Sequence, residues 1–188
     1  LLEQMQGLHP GFGEELKELV DFLGDVTPEY FFSDRDGTVN NYCARYRSSI
    51  QSGYNALFLT RYAGTLPTKP VILTSAPLEN QGILDLTVMP ENAYILAGSK
   101  GREYRDLRGD RRAYPLPDHD LEPLRLFNRE LEDLLEQPEN RVFKNIGSSL
   151  QKKLGETTVA RQDMHESVPP EASRRFKREV KDLIRRIE

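Results

Sequence analysis

The sequence predicts an α/β fold: a parallel sheet flanked by helices, followed by a smaller α+β unit. Three observations carry that expectation. Short apolar runs at 30–32, 71–75 and 93–98 have the length and the bounding Gly, Pro and Ser residues of buried strands. Helical apolar spacing lies between them, in the order strand, helix, strand. Beyond Gly98 the pattern changes to a highly charged stretch and two strongly amphipathic helices.

Residues 14–23, EELKELVDFL, place Leu16, Leu19, Val20 and Leu23 on one helical face, with Gly24 to end the helix and Pro28 to open the next element. Tyr30-Phe31-Phe32 reads as a buried aromatic strand. Residues 48–63, SSIQSGYNALFLTRYA, form a helical stripe despite Gly53, and VILTS at 71–75 is the second strand. Residues 84–89 and AYILAG at 93–98 read as further strands. The charged segment 99–120 is a loop or hairpin. A helix at 121–137 buries Leu124, Phe127, Leu131, Leu134 and Leu135. The closing helix follows Pro169-Pro170 and carries Phe176, Val180, Leu183, Ile184 and Ile187 at helical spacing. Between these helices, 141–161 holds weaker strand signals. A division near 98–105 separates residues 1–100, an α/β core piece, from residues 101–188, an α+β unit.

The 188 residues suffice for one ordinary domain or two small ones; 37% are hydrophobic, enough for a core, and 30% are charged. A net charge of −4 argues against a general nucleic-acid binder. Cys43 is the only cysteine, which excludes an intrachain disulfide and a Cys-rich zinc site. Cys43 follows closely on two aspartates, yet no histidine is near it in sequence, and a bystander thiol is the expectation. His9, His119 and His165 are scattered, without metal-ligand spacing. No apolar run approaches the roughly 20 residues of a membrane span. The N-terminal stretch has no basic start or apolar core of a signal peptide, so a soluble cytoplasmic protein is the default expectation. The basic closing helix interleaves Glu179 and Asp182 and reads as a solvated face. The oligomeric state stays open.

The stretch PEYFFSDRDGTVNN, 28–41, places Asp34 and Asp36 one residue apart directly after a strand-like run. Carboxylates that close repel one another unless a cation or proton lies between them. Ligands of open α/β sheets bind beyond the carboxyl ends of the strands. Asp34 and Asp36 would then face one cavity, with Arg35 pointing away and Gly37 supplying the bend. One carboxylate would attack an electrophile such as phosphorus while the other handles a proton, and Mg²⁺ would neutralise the crowding. A plain Asp-x-Asp-Gly surface turn is the competing reading. A calcium-binding EF-hand loop is excluded: its sixth position would be Val39 and its twelfth Arg45.

The run Asp34-Arg35-Asp36-Gly37-Thr38 after an apolar strand resembles the first motif of the haloacid-dehalogenase (HAD) superfamily phosphatases. VILT, ending at Thr74, resembles the second. The resemblance implies a Rossmann-like core in which Asp34 is phosphorylated and Asp36 is the general acid/base. It further implies Mg²⁺ at Asp34 and Asp36, and Thr74 on the phosphoryl group, with Arg35, Gly37, Thr38 and Ser75 around the phosphate. LAGSKGRE at 96–103 is similar to the core-to-cap segment Gly-Ser-His-Gly-x-Glu of the trehalose-6-phosphate phosphatases, with Lys100 in place of His and Glu103 in place. LQKKLGETTVARQD resembles their sugar-holding cap element, which implies a C2-type cap and substrate contacts from Gln151, Lys153 and Arg161, with Gln151 replacing Glu.

Two departures stand out. The second motif continues Ser75-Ala76-Pro77 where those sugar phosphatases have Gly-Arg, and no late acidic pair follows an apolar strand after residue 170. The expectation is therefore part of a longer Mg²⁺-dependent phosphatase that hydrolyses a phosphorylated sugar through an aspartyl phosphate. The alternative is a non-catalytic or truncated module that binds sugar phosphate.

Overall fold

The computed structural model describes residues 2–26, 28–41, 43 and 45–187. Five strands make one mixed sheet in chain order: β1 (Phe32–Asp34), β2 (Val71–Leu73), β3 (Ile95–Gly98), β4 (Glu103–Arg105) and β5 (Arg111–Ala113). The first three are parallel, and β3, β4 and β5 are antiparallel. Asp34 pairs in register with Leu73, and Leu73 with Ala97, so β1, β2 and β3 finish level with one another. Whatever follows them, including Asp36 and Thr74, is delivered to one end of the sheet. The predicted α/β class holds.

Helix α1 (Leu2–Leu8) and helix α2 (Phe12–Gly24) precede the sheet, and α2 ends at Gly24 as its sequence predicts. None of its residues is buried, however; Leu19, Val20 and Leu23 all face solvent. Helix α3 (Gly53–Thr65) starts at Ser52, whose hydroxyl accepts the Asn55 N–H at 3.2 Å. It packs Ala63 against Ile72, Leu78, Ile83, Tyr94 and Leu96 to form the first core.

The aromatic run differs from expectation. Tyr30 and Phe32 are exposed, because β1 lies at the sheet edge and the strand starts only at Phe32. Phe31 alone turns inward, edge-on to Tyr62 with ring centroids 5.1 Å apart. Residues 84–89 are not a strand either. Helix α4 (Ile83–Leu86) forms there because the Asp85 carboxylate accepts the N–H groups of Gln81 and Gly82, at 2.8 and 3.0 Å.

The charged segment does form a hairpin, β4 with β5, and it carries the sheet past 98–105 to Ala113. Helix α5 (Asp118–Glu136), the hairpin of β6 (Leu150–Lys153) with β7 (Glu156–Val159), and helix α6 (Pro170–Ile187) follow. Leu131, Leu135, Phe143, Phe176 and Leu183 fill a second core, in which the rings of Phe143 and Phe176 stack 4.0 Å apart. Among the described residues no helix is long and apolar enough to cross a membrane.

Candidate active site

The loop after β1 closes on itself. Gly37 adopts φ +86°, a conformation glycine takes without strain. Its N–H donates to the Asn40 carbonyl at 2.8 Å, and the Asn40 N–H returns to the Arg35 carbonyl at 2.9 Å. Arg35 is 2% exposed, and its guanidinium is spent inward. Nη1 donates to Asp36 Oδ1 at 2.5 Å, while Nη2 donates to the carbonyls of Leu86, at 3.1 Å, and Ser49. The Ser49 hydroxyl donates to the same Asp36 oxygen at 3.1 Å, and Asn40 Nδ2 donates to that hydroxyl at 3.0 Å. This network fixes Asp36 in one orientation. It also bears on one expectation: Nη1 and Nη2 of Arg35, a residue expected beside the phosphate, are taken up by the Asp36 carboxylate and by the buried carbonyls of Ser49 and Leu86.

Thr74 follows β2 at the same end of the sheet and is buried. Its N–H donates to the Ala97 carbonyl at 2.9 Å, its carbonyl accepts the Lys100 N–H at 3.0 Å, and its Oγ1 accepts the Ala76 N–H at 3.2 Å. Facing this wall, Gly147, Ser148 and Gln151 lie just before and within β6, and Gln162, Asp163 and Met164 follow β7. The two walls enclose a cleft of about 500 Å³. The walls are joined by the Tyr46 N–H to the Gly147 carbonyl at 3.0 Å, by the Leu154 N–H to Ser99 Oγ at 3.1 Å, and by Lys100 to Glu156 at 2.5 Å.

Of the residues named from sequence, Asp36, Thr74, Ser75 and Gln151 line this cleft together. Asp34, Gly37 and Thr38 are outside its lining; Asp34 is exposed at the tip of β1, across from Leu73 and one residue short of Thr74. Three cap-side expectations meet other partners. Lys153 is buried, and its ammonium donates to Glu156 at 3.1 Å and Thr158 at 2.8 Å. Lys153 shares a strand face with Gln151, but it sits at the hairpin turn, in register with Glu156, which captures it. Glu103 accepts the Leu78 N–H at 3.0 Å and the Ser99 hydroxyl at 2.5 Å. Arg161 is exposed and donates to Ser173 at 3.1 Å.

Hydrogen bonds from Lys100 and then Lys153 pull the Glu156 carboxyl down from 4.5 to about 2. Burial pushes the Tyr46 phenol up, and its hydroxyl finds no hydrogen-bond partner among the described residues. The Asp163 carboxyl is held below its ordinary value by the Ser167 hydroxyl first, then by the Ser167 and His165 N–H groups. It is therefore engaged within its own loop. Cys43 is half-buried and lines the cleft, which its sequence surroundings did not signal. Tyr46, Ser49, Ser148 and Gln162 also went unnamed, because contacts more than 100 residues apart, such as Tyr46 to Gly147, bring the two walls together.

Among the described residues no three His, Cys, Asp or Glu side chains cluster as a complete metal cage. Mg²⁺ does not require one: it binds through one or two carboxylates, keeps several waters, and takes the rest from phosphate oxygens. The hard oxygens of Asp34 and Asp36 fit that donor set in kind.

The family described as Trehalose-6-phosphate phosphatase, C-terminal, matches residues 31–188. Alpha,alpha-trehalose-phosphate synthase (UDP-forming) 1 of Aphelenchoides avenae is 36% identical over 193 residues, covering 100% of this chain and 17% of that protein. Trehalose-phosphatase of Brugia malayi is 34% identical over 161 residues, covering 84% of this chain and 32% of that protein. Trehalose-phosphatase of Caenorhabditis elegans is 31% identical over 178 residues, covering 92% and 40%. The chain thus spans less than half the length of these curated relatives. With most of its residues matched, the chain belongs to the trehalose-6-phosphate phosphatase C-terminal family.

Proposed function

We propose that this chain carries the nucleophile of a phosphatase acting on a phosphorylated sugar, with trehalose 6-phosphate the first substrate to test. One observation carries the reading. The Asp34–Asp36 loop and Thr74 leave adjacent parallel strands at the same level, and Asp36 and Thr74 face Gln151 across the cleft.

In this reading an Asp34 carboxylate oxygen attacks phosphorus, and the bond from phosphorus to the sugar oxygen breaks. Asp36, held by Arg35 and Ser49, gives its proton to that oxygen. A water then attacks the phosphorus of the aspartyl phosphate and loses its proton to Asp36, which releases phosphate and restores Asp34. The Thr74 hydroxyl donates to a phosphoryl oxygen throughout. Gln151 presents its amide to sugar hydroxyls. Mg²⁺ held by the Asp34 carboxylate would neutralise the charge on the phosphoryl oxygens and leave the Asp36 carboxyl to its proton.

The test is phosphate release from a panel of sugar phosphates, with and without Mg²⁺, beside Asp34→Asn. Release that needs Mg²⁺ and falls at least 10³-fold in the variant is expected, since the variant removes the covalent step. Turnover surviving in Asp34→Asn sinks the mechanism. Substrate binding without any release would favour a binding module.

A further inference from the structure

The turn that follows β3 is strained. Ser99 and Lys100 both adopt left-handed backbone, φ +49° and +58°, before Gly101 at +87°. Two consecutive non-glycine residues there persist only where the surroundings over-determine them. Five contacts do so. The Ser99 N–H donates to the Ala76 carbonyl at 2.6 Å, the Lys100 N–H to the Thr74 carbonyl at 3.0 Å, and the Ser99 hydroxyl to Glu103 at 2.5 Å. The other two cross the seam: the Leu154 N–H donates to Ser99 Oγ, and the Lys100 ammonium donates to Glu156. Leu154 lies in the β6–β7 turn and Glu156 opens β7, where Lys153 at the end of β6 shares its carboxylate. A seated hairpin therefore holds the turn in its strained form. The turn in turn grips the carbonyl of Thr74, a residue that lines the cleft.

We infer that Lys100 is a positioning residue: its ion pair with Glu156 couples the seated cap hairpin to the placement of Thr74. The inference rests on the phosphatase reading for its consequence, and on the contacts above for its geometry. The Lys100 and Glu156 side chains are 62% and 38% exposed, so replacing either leaves both cores intact. The effect is that of an exposed pair, about threefold in a rate or equilibrium.

The experiment compares full-length wild-type protein with Lys100→Ala, Glu156→Gln, the double variant and Lys100→Arg. Two readouts are needed: kcat and KM on the sugar phosphate, and hydrogen exchange of the 99–101 amides. The expected result is about threefold lower kcat and faster 99–101 exchange in each single variant, with no further loss in the double variant. Lys100→Arg keeps a cation and restores both. Additive losses, or exchange identical to wild type, overturn the inference. So does faster exchange with an unchanged kcat. A wild-type protein that hydrolyses nothing sinks the phosphatase reading instead, and exchange alone then decides whether Glu156 clamps the turn.

Discussion

Two ion pairs flank the cleft, and they are built on opposite terms. Arg35 and Asp36 on the core wall have side chains 3% and 23% exposed; Lys100 and Glu156 at the seam are 62% and 38% exposed. A buried guanidinium must have its donors satisfied, and this one meets Asp36, Ser49 and Leu86 in a single arrangement. An exposed pair exchanges readily with water and is screened by salt. The same pairing of charges thus gives a fixed wall on one side and an adjustable join on the other. The proposed reaction would use both: an acid/base group held still, and an opposite wall able to seat around a ligand.

The largest effect is expected on the fixed wall. Arg35→Met keeps the buried stem but removes every donor, which leaves two carbonyls and the Asp36 carboxylate short of partners. The expected loss is about 3 kcal/mol, read as a lower denaturant midpoint. A loss below about 1 kcal/mol would break the contrast, because the loop would then keep its shape without the network.

That wall was only half legible in the sequence. Asp34, Asp36 and Thr74 stand out because strand ends in an α/β sheet are marked by local apolar runs and the polar residues that stop them. The inward turn of Arg35 was legible as a direction, but its partners Ser49 and Leu86 lie 14 and 51 residues away, beyond any local pattern. Helix α4 was misread for a related reason. LDLTV at 84–88 alternates as a strand would, and only the Asp85 side chain folding back on Gln81 and Gly82 decides the matter. Periodicity likewise announced a helix at 14–23 without saying what covers its apolar face: α2 buries none of its residues, whereas α5 and α6 bury Leu131, Leu135, Phe176 and Leu183. At the seam, Lys153 shares a strand face with Gln151, yet Glu156 across the hairpin takes it, a pairing set by the turn rather than by any local apolar pattern.

An intermediate effect tests whether the fixed wall extends into the sheet. A Cβ on Gly98 would lie 2.5 Å from the Leu78 amide nitrogen and 2.8 Å from its Cα, both backbone atoms. Gly98→Ala therefore forces β3 away from the 77–78 turn, and overpacking of this kind costs about 1–3 kcal/mol. Thermal unfolding reads it directly. A neutral result would show that the core wall yields as easily as the seam.

The smallest effect belongs to the seam and depends on pH. Glu156 titrates at about 2 in the folded protein against an ordinary 4.5, because Lys100 and Lys153 donate to it. A depressed carboxyl contributes stability that is fully present above pH 4.5 and is lost as pH falls through 2. At 38% exposure the pair is strongly screened, so the whole contribution is at most about 1 kcal/mol. Glu156→Gln should flatten the stability–pH curve between those limits and weaken its dependence on salt. The Arg35 pair, being buried, should keep its contribution in high salt. If wild type and Glu156→Gln lose stability in parallel over that range, other carboxylates carry the acid sensitivity, and the seam is held by the neutral Leu154–Ser99 and Tyr46–Gly147 hydrogen bonds rather than by charge.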